Sequence, residues 1–160
     1  MRARPATTQD AEAIAAIYNE GIAEGIATFE TRMRSADDVR AWMGGRFPIV
    51  AVESGEGQVI GFASTSQYRP RDCYAGVADF SVYVAAGARG RGAGRLAMRS
   101  LIDEAAKAGF WKLVSRVFPE NAASRALLRT LGFREVGIYE RHGQLHGVWR
   151  DVVIVERLLD

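Results

Sequence analysis

Helical spacing of apolar residues marks the start of the chain. Thr7 and Asp10 have the spacing of a capping box, and the apolar stripe after them predicts a helix that ends near Gly25. The apolar positions of this helix are Ile14, Ile17, Tyr18 and Ile22. A similar pattern between Ser35 and Gly45 predicts a second, shorter helix.

The middle of the chain changes to the patterns of β-strands. Residues 49–53 and 59–66 flank a glycine-rich turn and predict an antiparallel hairpin, with residues 69–73 as its exit loop. Residues 77–84 are rich in β-branched and aromatic side chains, which predicts a third strand.

Helix and strand alternate in the second half. Apolar residues recur at helical intervals from Gly92 to Gly109, and residues 113–118 predict a buried strand. Asn121 is a good N-cap for a helix that ends at Gly132. Two final strands are expected around a polar loop, at residues 136–138 and 148–158. We therefore predict an α/β (α+β) fold: a single mixed, mostly antiparallel central sheet of about six to seven strands, with helices on both faces.

Composition limits the class of protein. The chain has 160 residues, of which 48% are hydrophobic and 25% charged, so we expect residues 1–160 to form one domain. The single cysteine, Cys73, excludes an intrachain disulfide and a multi-cysteine zinc site, and favours a cytoplasmic location. The polar amino terminus does not resemble a signal peptide, and no apolar stretch is long enough to cross a bilayer, so no membrane partner is expected.

Charge changes the picture only locally. The formal net charge of +2 arises from 21 basic and 19 acidic side chains, so no general attraction to polyanions and no nucleic-acid partner is expected. Basic residues nevertheless gather between Arg89 and Arg99, beside several glycines. Such a cluster suits a compact phosphate ligand better than a duplex.

The segment Arg89 to Arg95, with the sequence RGRGAGR, joins a predicted strand to a predicted helix. Glycines let backbone N–H groups approach an anion, and the start of a helix directs unpaired amides the same way. A P-loop is disfavoured because no Gly-Lys-Ser/Thr follows, and a dinucleotide fingerprint because two helices and a hairpin precede the turn. A tight turn without a ligand is the remaining alternative.

Two motifs carry a family resemblance. Arg89, Gly92 and Gly94 match the pattern Arg/Gln-x-x-Gly-x-Gly/Ala, and Asn121 with Ser124 heads a helix that ends in Leu-Gly-Phe. The chain thus resembles the GNAT superfamily of N-acetyltransferases. Over nearly its whole length it looks most like the phosphinothricin, arsinothricin and methionine sulfoximine branch, with the arsinothricin type closest in the carboxy-terminal part. The supporting stretches are residues 17–20, 28–31, 78–84, 118–124, 141–143 and 149–152.

The resemblance implies a GNAT fold and acetyl-CoA as co-substrate, without a metal. Its pantetheine arm would pair with the backbone of Val82 and Val84, and its diphosphate would meet residues 90–95. The full set that the resemblance assigns to acetyl-CoA is Val82, Tyr83, Val84, Arg89, Gly90, Arg91, Gly92, Ala93, Gly94, Arg95, Asn121 and Ser124.

Acetyl transfer to an amine requires a proton acceptor, because an amine with a pKa on the order of 9 to 10 is mostly protonated at neutral pH. Asp79 is the candidate base, at a position where the resembling family carries a glutamate; the shorter side chain makes a bridging water part of this hypothesis. His142, in the carboxy-terminal loop, is the second catalytic candidate, and would bind the acceptor or share its proton.

The resemblance also implies acceptor contacts. Phe29 would form a wall of the acceptor site, while Arg71 and Tyr74 would contact an anionic, amino-acid-like molecule, with Arg69 as a weaker substitute for Arg71. Many family members place a tyrosine where this chain has Leu128, so solvent, Ser124 or another group must protonate the thiolate. The oxyanion donor would be a backbone N–H near Val84, at a bulge.

The leading hypothesis is therefore a detoxifying N-acetyltransferase that acylates the α-amine of arsinothricin, phosphinothricin or methionine sulfoximine and functions as a homodimer. The alternatives are a GNAT enzyme acting on an unrelated amine, such as a polyamine, an aminoglycoside or a protein N-terminus, and an acyl-CoA-binding module without catalysis.

Overall fold

A computed structural model describes residues 1–160. It contains seven strands: β1 (Arg2–Pro5), β2 (Ile49–Glu53), β3 (Val59–Gln67), β4 (Val77–Val84), β5 (Lys112–Val117), β6 (Arg134–Leu145) and β7 (Val148–Leu158). Its four α-helices are α1 (Ala11–Glu24), α2 (Ala36–Trp42), α3 (Ala93–Lys107) and α4 (Ala122–Thr130). None of these helices combines the length and the apolar character that crossing a membrane requires.

The strands form one sheet in the order β1-β2-β3-β4-β5-β7-β6. Every neighbouring pair is antiparallel except β4 and β5, which are parallel. Helices α1 and α2 pack on one face around Phe62, and α3 and α4 pack on the other face around Phe80. The predicted fold class is thereby confirmed.

The parallel pairing of β4 and β5 covers only a short part of both strands. Strands β4 and β5 are paired only over Val77–Asp79, opposite residues 112–114, although both strands continue. Just beyond, the Ser115 hydroxyl donates a hydrogen bond to the Phe80 carbonyl at 2.8 Å. Beyond this point no strand pairs with β4 on the side of β5, which leaves an opening in the sheet between the two strands.

Alternation of the backbone decides which amides face this opening. Ala85, directly after β4, donates its N–H to the Ile60 carbonyl, towards β3. Because successive peptide groups of a strand point to opposite edges, those of Val82 and Val84 point away from β3 and into the opening. They are the groups that the family resemblance assigns to the pantetheine arm.

Gly76 adjoins the parallel junction, and its carbonyl accepts hydrogen bonds from the backbone N–H groups of Trp111 at 2.8 Å and Lys112 at 3.3 Å. A Cβ atom at Gly76 would lie 2.0 Å from the Trp111 ring. We predict that Gly76→Ala lowers the free energy of unfolding in urea by about 1 to 3 kcal/mol through overpacking.

Gly45→Ala is the control for Gly76→Ala, since a Cβ there meets nothing within 4 Å. Adding Trp111→Ala to Gly76→Ala should recover part of the loss that overpacking causes. Equal effects of Gly76→Ala and Gly45→Ala would contradict the steric explanation.

Two local predictions are wrong. The polar loop expected after residue 138 is part of β6, which runs to Leu145 through a bulge where the pairing shifts between Tyr139 and Gly143. His146 and Gly147, with φ values of 51° and 78°, then form a tight two-residue turn to β7. Polar side chains suit β6 because it is an edge strand. The bulge expected near Val84 is absent, since β4 pairs with β3 without a register shift.

Candidate active site

The opening between β4 and β5 continues into a cleft of about 510 Å³, which we call the cofactor cleft. Eleven of the residues predicted to bind acetyl-CoA line it: Val82, Tyr83, Val84, Arg89, Gly90, Gly92, Ala93, Gly94, Arg95, Asn121 and Ser124. Arg91, the other predicted residue, is exposed and lies outside the lining. Sequence reasoning did not assign to the cofactor the part of the wall formed by Gly21, Glu24, Ile26, Ala27, Ala123 and Leu127; of these, only Ala123 lies within a quoted motif.

Backbone groups with the geometry of an anion site line one part of the cofactor cleft. Gly90 and Gly92 have φ values of 79° and 89°, a conformation that glycine adopts without strain. The first intrahelical bond of α3 runs from the Leu96 N–H to the Gly92 carbonyl, so the N–H groups of residues 93–95 have no partner within the helix. These free amides and the positive end of the helix dipole suit a diphosphate.

The neighbouring arginines are held by protein partners. Arg89 donates to both carboxylate oxygens of Glu24, at 2.8 and 2.5 Å, and to the Val84 carbonyl at 3.2 Å. This pairing ties α1 to the end of β4 and lowers the pKa of Glu24. Arg95 donates to the Thr130 hydroxyl at 2.8 Å. The arginines therefore fix the shape of the cleft, while the amides remain free for a ligand.

A second cleft of about 330 Å³, the acceptor cleft, lies on the α1 face of the sheet. Ala27 and Tyr83 line both clefts, which meet at a narrow gap beside Ser115 and Ser124. The two spaces are thus continuous through the opening in the sheet. A group carried along β4 from one side would reach an acceptor bound on the other.

Asp79 lies in the acceptor cleft with a poorly satisfied carboxylate. Its Oδ2 is 3.3 Å from Nη2 of Arg116, and its buried Oδ1 has no hydrogen-bond partner. Burial raises the pKa of Asp79 above the ordinary range for an aspartate, while the charges of Arg116 and Arg69 act in the opposite direction. A partly buried carboxylate with a raised pKa in a cleft has the properties of a general base.

Of the predicted acceptor residues, only Phe29 lines the acceptor cleft with Asp79, although Arg69 lies close enough for its charge to lower the pKa of Asp79. Phe29 lines the acceptor cleft and packs edge-on against Phe118, with the ring centroids 4.9 Å apart. His142, Arg71 and Tyr74 do not line the acceptor cleft. His142 is exposed on the β6 bulge, Arg71 is exposed, and the Tyr74 ring packs on Tyr68. The roles of these three residues stay predictions.

Sequence reasoning missed other residues of the acceptor cleft, notably Tyr18, Glu30, Ser115 and Arg116. No motif contains Arg116, which reads in the sequence as an ordinary strand residue. Burial raises the pKa of the Tyr83 hydroxyl above its ordinary value.

The start of α4 matches its predicted geometry. The Asn121 side-chain oxygen accepts a hydrogen bond from the Ser124 N–H at 3.2 Å, which confirms Asn121 as the N-cap. Both residues also line the cofactor cleft. Leu128 is buried in the core and reaches the gap between the clefts only as an apolar surface.

Free amides beside one cleft and a partly buried carboxylate in the adjoining cleft suit the transfer of a group from an anionic cofactor to a separate acceptor. The chain belongs to the acetyltransferase (GNAT) family, whose model matches residues 14–133. This finding confirms the resemblance, and the protein is an acetyl-CoA-dependent N-acetyltransferase.

Two curated relatives cover almost the whole chain. The phosphinothricin N-acetyltransferase of Streptomyces coelicolor is 32% identical over an alignment 165 positions long, which covers 99% of this chain and 96% of the relative. The L-methionine sulfoximine/L-methionine sulfone acetyltransferase of Pseudomonas paraeruginosa is 32% identical over 161 residues, which cover 98% of this chain and 94% of the relative.

Solved structures share the fold. A GNAT superfamily phosphinothricin acetyltransferase from Sinorhizobium meliloti, in complex with acetyl-CoA, has a TM-score of 0.90 at 30% identity, covering 98% of this chain and 87% of its own. A ribosomal-protein-alanine N-acetyltransferase from Brucella melitensis has a TM-score of 0.93 at 35% identity. The match covers 99% of this chain and 100% of the Brucella melitensis chain. The fold is therefore shared by enzymes named for different acceptors.

Proposed function

We propose that this enzyme acetylates the α-amine of a small amino-acid-like acceptor of the phosphinothricin, methionine sulfoximine or arsinothricin type, and so detoxifies it. The observation that carries the proposal is the position of Asp79, a partly buried carboxylate in a small cleft that joins the cofactor cleft. A cleft of about 330 Å³ suits a small molecule. The names of the two curated relatives support the same acceptor class.

The roles of the residues follow from their places. The free amides at the start of α3 would hold the diphosphate of acetyl-CoA, which supplies the acetyl thioester. The peptide groups of Val82 and Val84 would align the arm, and an N–H at this edge would stabilise the oxyanion. Asp79 would accept the proton of the acceptor ammonium, directly or through a water.

An acceptor panel tests the proposal. We expect thioester consumption with L-phosphinothricin, arsinothricin and L-methionine sulfoximine, and kcat/KM values at least about 100-fold lower with spermidine or kanamycin, because the acceptor cleft is small and carries the cationic side chain of Arg116. The measurement is release of the CoA thiol at saturating acetyl-CoA. Activity confined to polycations would contradict the proposal.

A protein N-terminus is the second candidate acceptor, because the Brucella melitensis structure carries a ribosomal-protein name and matches this fold closely. An alanine-initiated peptide in the same panel separates the two. A kcat/KM for the peptide above those of all the amino acids would favour this second candidate.

We also propose that the enzyme is a homodimer in which the partner covers the β6–β7 hairpin. This hairpin lies at the edge of the sheet and exposes several large apolar side chains. They are Val136, Ile138, Tyr139, Val148 and Trp149. An edge strand with such side chains favours association with a second copy.

A further inference from the structure

Arg116 occupies an unusual position for a charged residue. It lies on β5, an interior strand of the sheet, and lines the acceptor cleft. Its neighbours Val114 and Val117 are buried and apolar, as is usual for strands covered on both faces. Arg116 differs from these neighbours because its side chain is exposed to the acceptor cleft.

Most of the hydrogen-bonding capacity of Arg116 is unused. Its single hydrogen bond runs from Nη2 to Oδ2 of Asp79 at 3.3 Å, which is longer than the roughly 2.8 Å of a good charge-assisted bond. Arg125, by comparison, donates three bonds to Glu135 and Pro119. The Arg116 side chain is 42% exposed, so its remaining donors are accessible to a ligand.

We infer that Arg116 binds the α-carboxylate of the acceptor, beside the amine that Asp79 deprotonates; this inference rests on the proposed function. The amine and the carboxylate of an α-amino acid are attached to the same carbon, so two protein groups in hydrogen-bond contact can hold both at once. Arg116 is the only cationic side chain that lines the acceptor cleft. Glu30, the second carboxylate there, already pairs with Arg34 at 2.9 Å.

Binding then exchanges the partner of Arg116. The planar guanidinium takes the acceptor carboxylate through two parallel hydrogen bonds and releases Oδ2 of Asp79. Both oxygens of Asp79 become available to the ammonium group. A polyamine has no carboxylate to make this exchange, so it would leave Asp79 paired with Arg116.

The test uses a matched pair of acceptors, L-methionine sulfone and its α-carboxamide. Steady-state kcat/KM is measured for the wild type, Arg116→Met and Arg116→Lys. We expect the wild type to prefer the acid, and Arg116→Met to reduce the ratio of acid to amide by about 30-fold, through a higher KM for the acid. Arg116→Lys should give an intermediate ratio, since it keeps the charge but not the fork.

Arg129→Met is the matched control, because the exposed Arg129 pairs with Glu135 and lines neither cleft. It should keep the wild-type ratio, and acetyl-CoA affinity should be the same in all variants. An unchanged ratio in Arg116→Met would overturn the inference and leave the proposed function standing. A wild type that binds acetyl-CoA but acetylates neither amino acids nor their amides would overturn both.

Discussion

Asp79→Asn is expected to lower kcat by about 100- to 10,000-fold while acetyl-CoA affinity stays the same. The asparagine side chain keeps the volume of aspartate but cannot accept the proton of an ammonium group, and a positioned general base contributes a factor of this size. Asp79 does not line the cofactor cleft, so the affinity for acetyl-CoA has no reason to change. Stopped assays of acetyl transfer and calorimetric titration with acetyl-CoA measure the two quantities.

Asp79→Glu is the matched control, since it keeps the carboxylate and adds one methylene. It should retain most of the activity that Asp79→Asn loses. If Asp79→Asn kept near wild-type kcat, or if both variants lost acetyl-CoA binding equally, the assignment of Asp79 as the base would be wrong.

The pH profile follows from the same carboxylate. A base must be ionised to act, so kcat/KM should fall as the pH falls through the pKa of Asp79. Burial raises this pKa, and Arg116 and Arg69 lower it, so the net upward shift places the acidic limb above the ordinary range for an aspartate. This limb should be missing from the residual activity of Asp79→Asn. A limb that is unchanged in that variant would belong to another group.

Gly92→Asp is expected to weaken acetyl-CoA binding by about 100- to 1,000-fold. Gly92 is the N-cap of α3 at a φ of 89°, and a Cβ there meets nothing within 4 Å, so a new side chain extends into open space beside the anion site. Its carboxylate would stand next to the diphosphate, and like charges in contact cost several kcal/mol. Calorimetric titration with acetyl-CoA measures the loss.

Two variants separate charge from backbone strain. The asparagine of Gly92→Asn has the size of the aspartate in Gly92→Asp but no charge, so Gly92→Asn should bind acetyl-CoA more tightly. Gly109→Asp has a similar positive φ of 93° but lies beyond the other end of α3, outside the cofactor cleft. It should lower stability and leave acetyl-CoA affinity unchanged. Equal affinities of the two Gly92 variants would contradict electrostatic repulsion at this site.

The backbone geometry of the turn before α3 was predictable from sequence because its parts are local. A backbone site of this type needs glycines at positive φ and a helix that starts directly after them, and the segment from Gly90 to Arg95 supplies both. The N-cap at Asn121 was predictable for the same reason, since its hydrogen bond spans only three residues. The bulge in β6 was not, because polar residues on an edge strand give no alternating pattern.

The residues that line the acceptor cleft could be identified only from the tertiary structure. Asp79 and Arg116 are 37 positions apart and meet only because β4 and β5 are neighbours in the sheet. Arg89 looked like a phosphate ligand, but its partner is Glu24, 65 positions away on α1. A sequence shows which residues are charged but not which distant group each one faces.

The sequence by itself determined the alternation of helices and strands, the glycine-rich turn before α3 and the family, because periodicity, capping and glycine conformations act between residues close in the chain. The tertiary structure alone decided where the sheet opens, which amides line the opening and which side chains gather around Asp79. Those features depend on the pairing of distant strands, and the burial that raises the pKa of Asp79 exists only once they are paired.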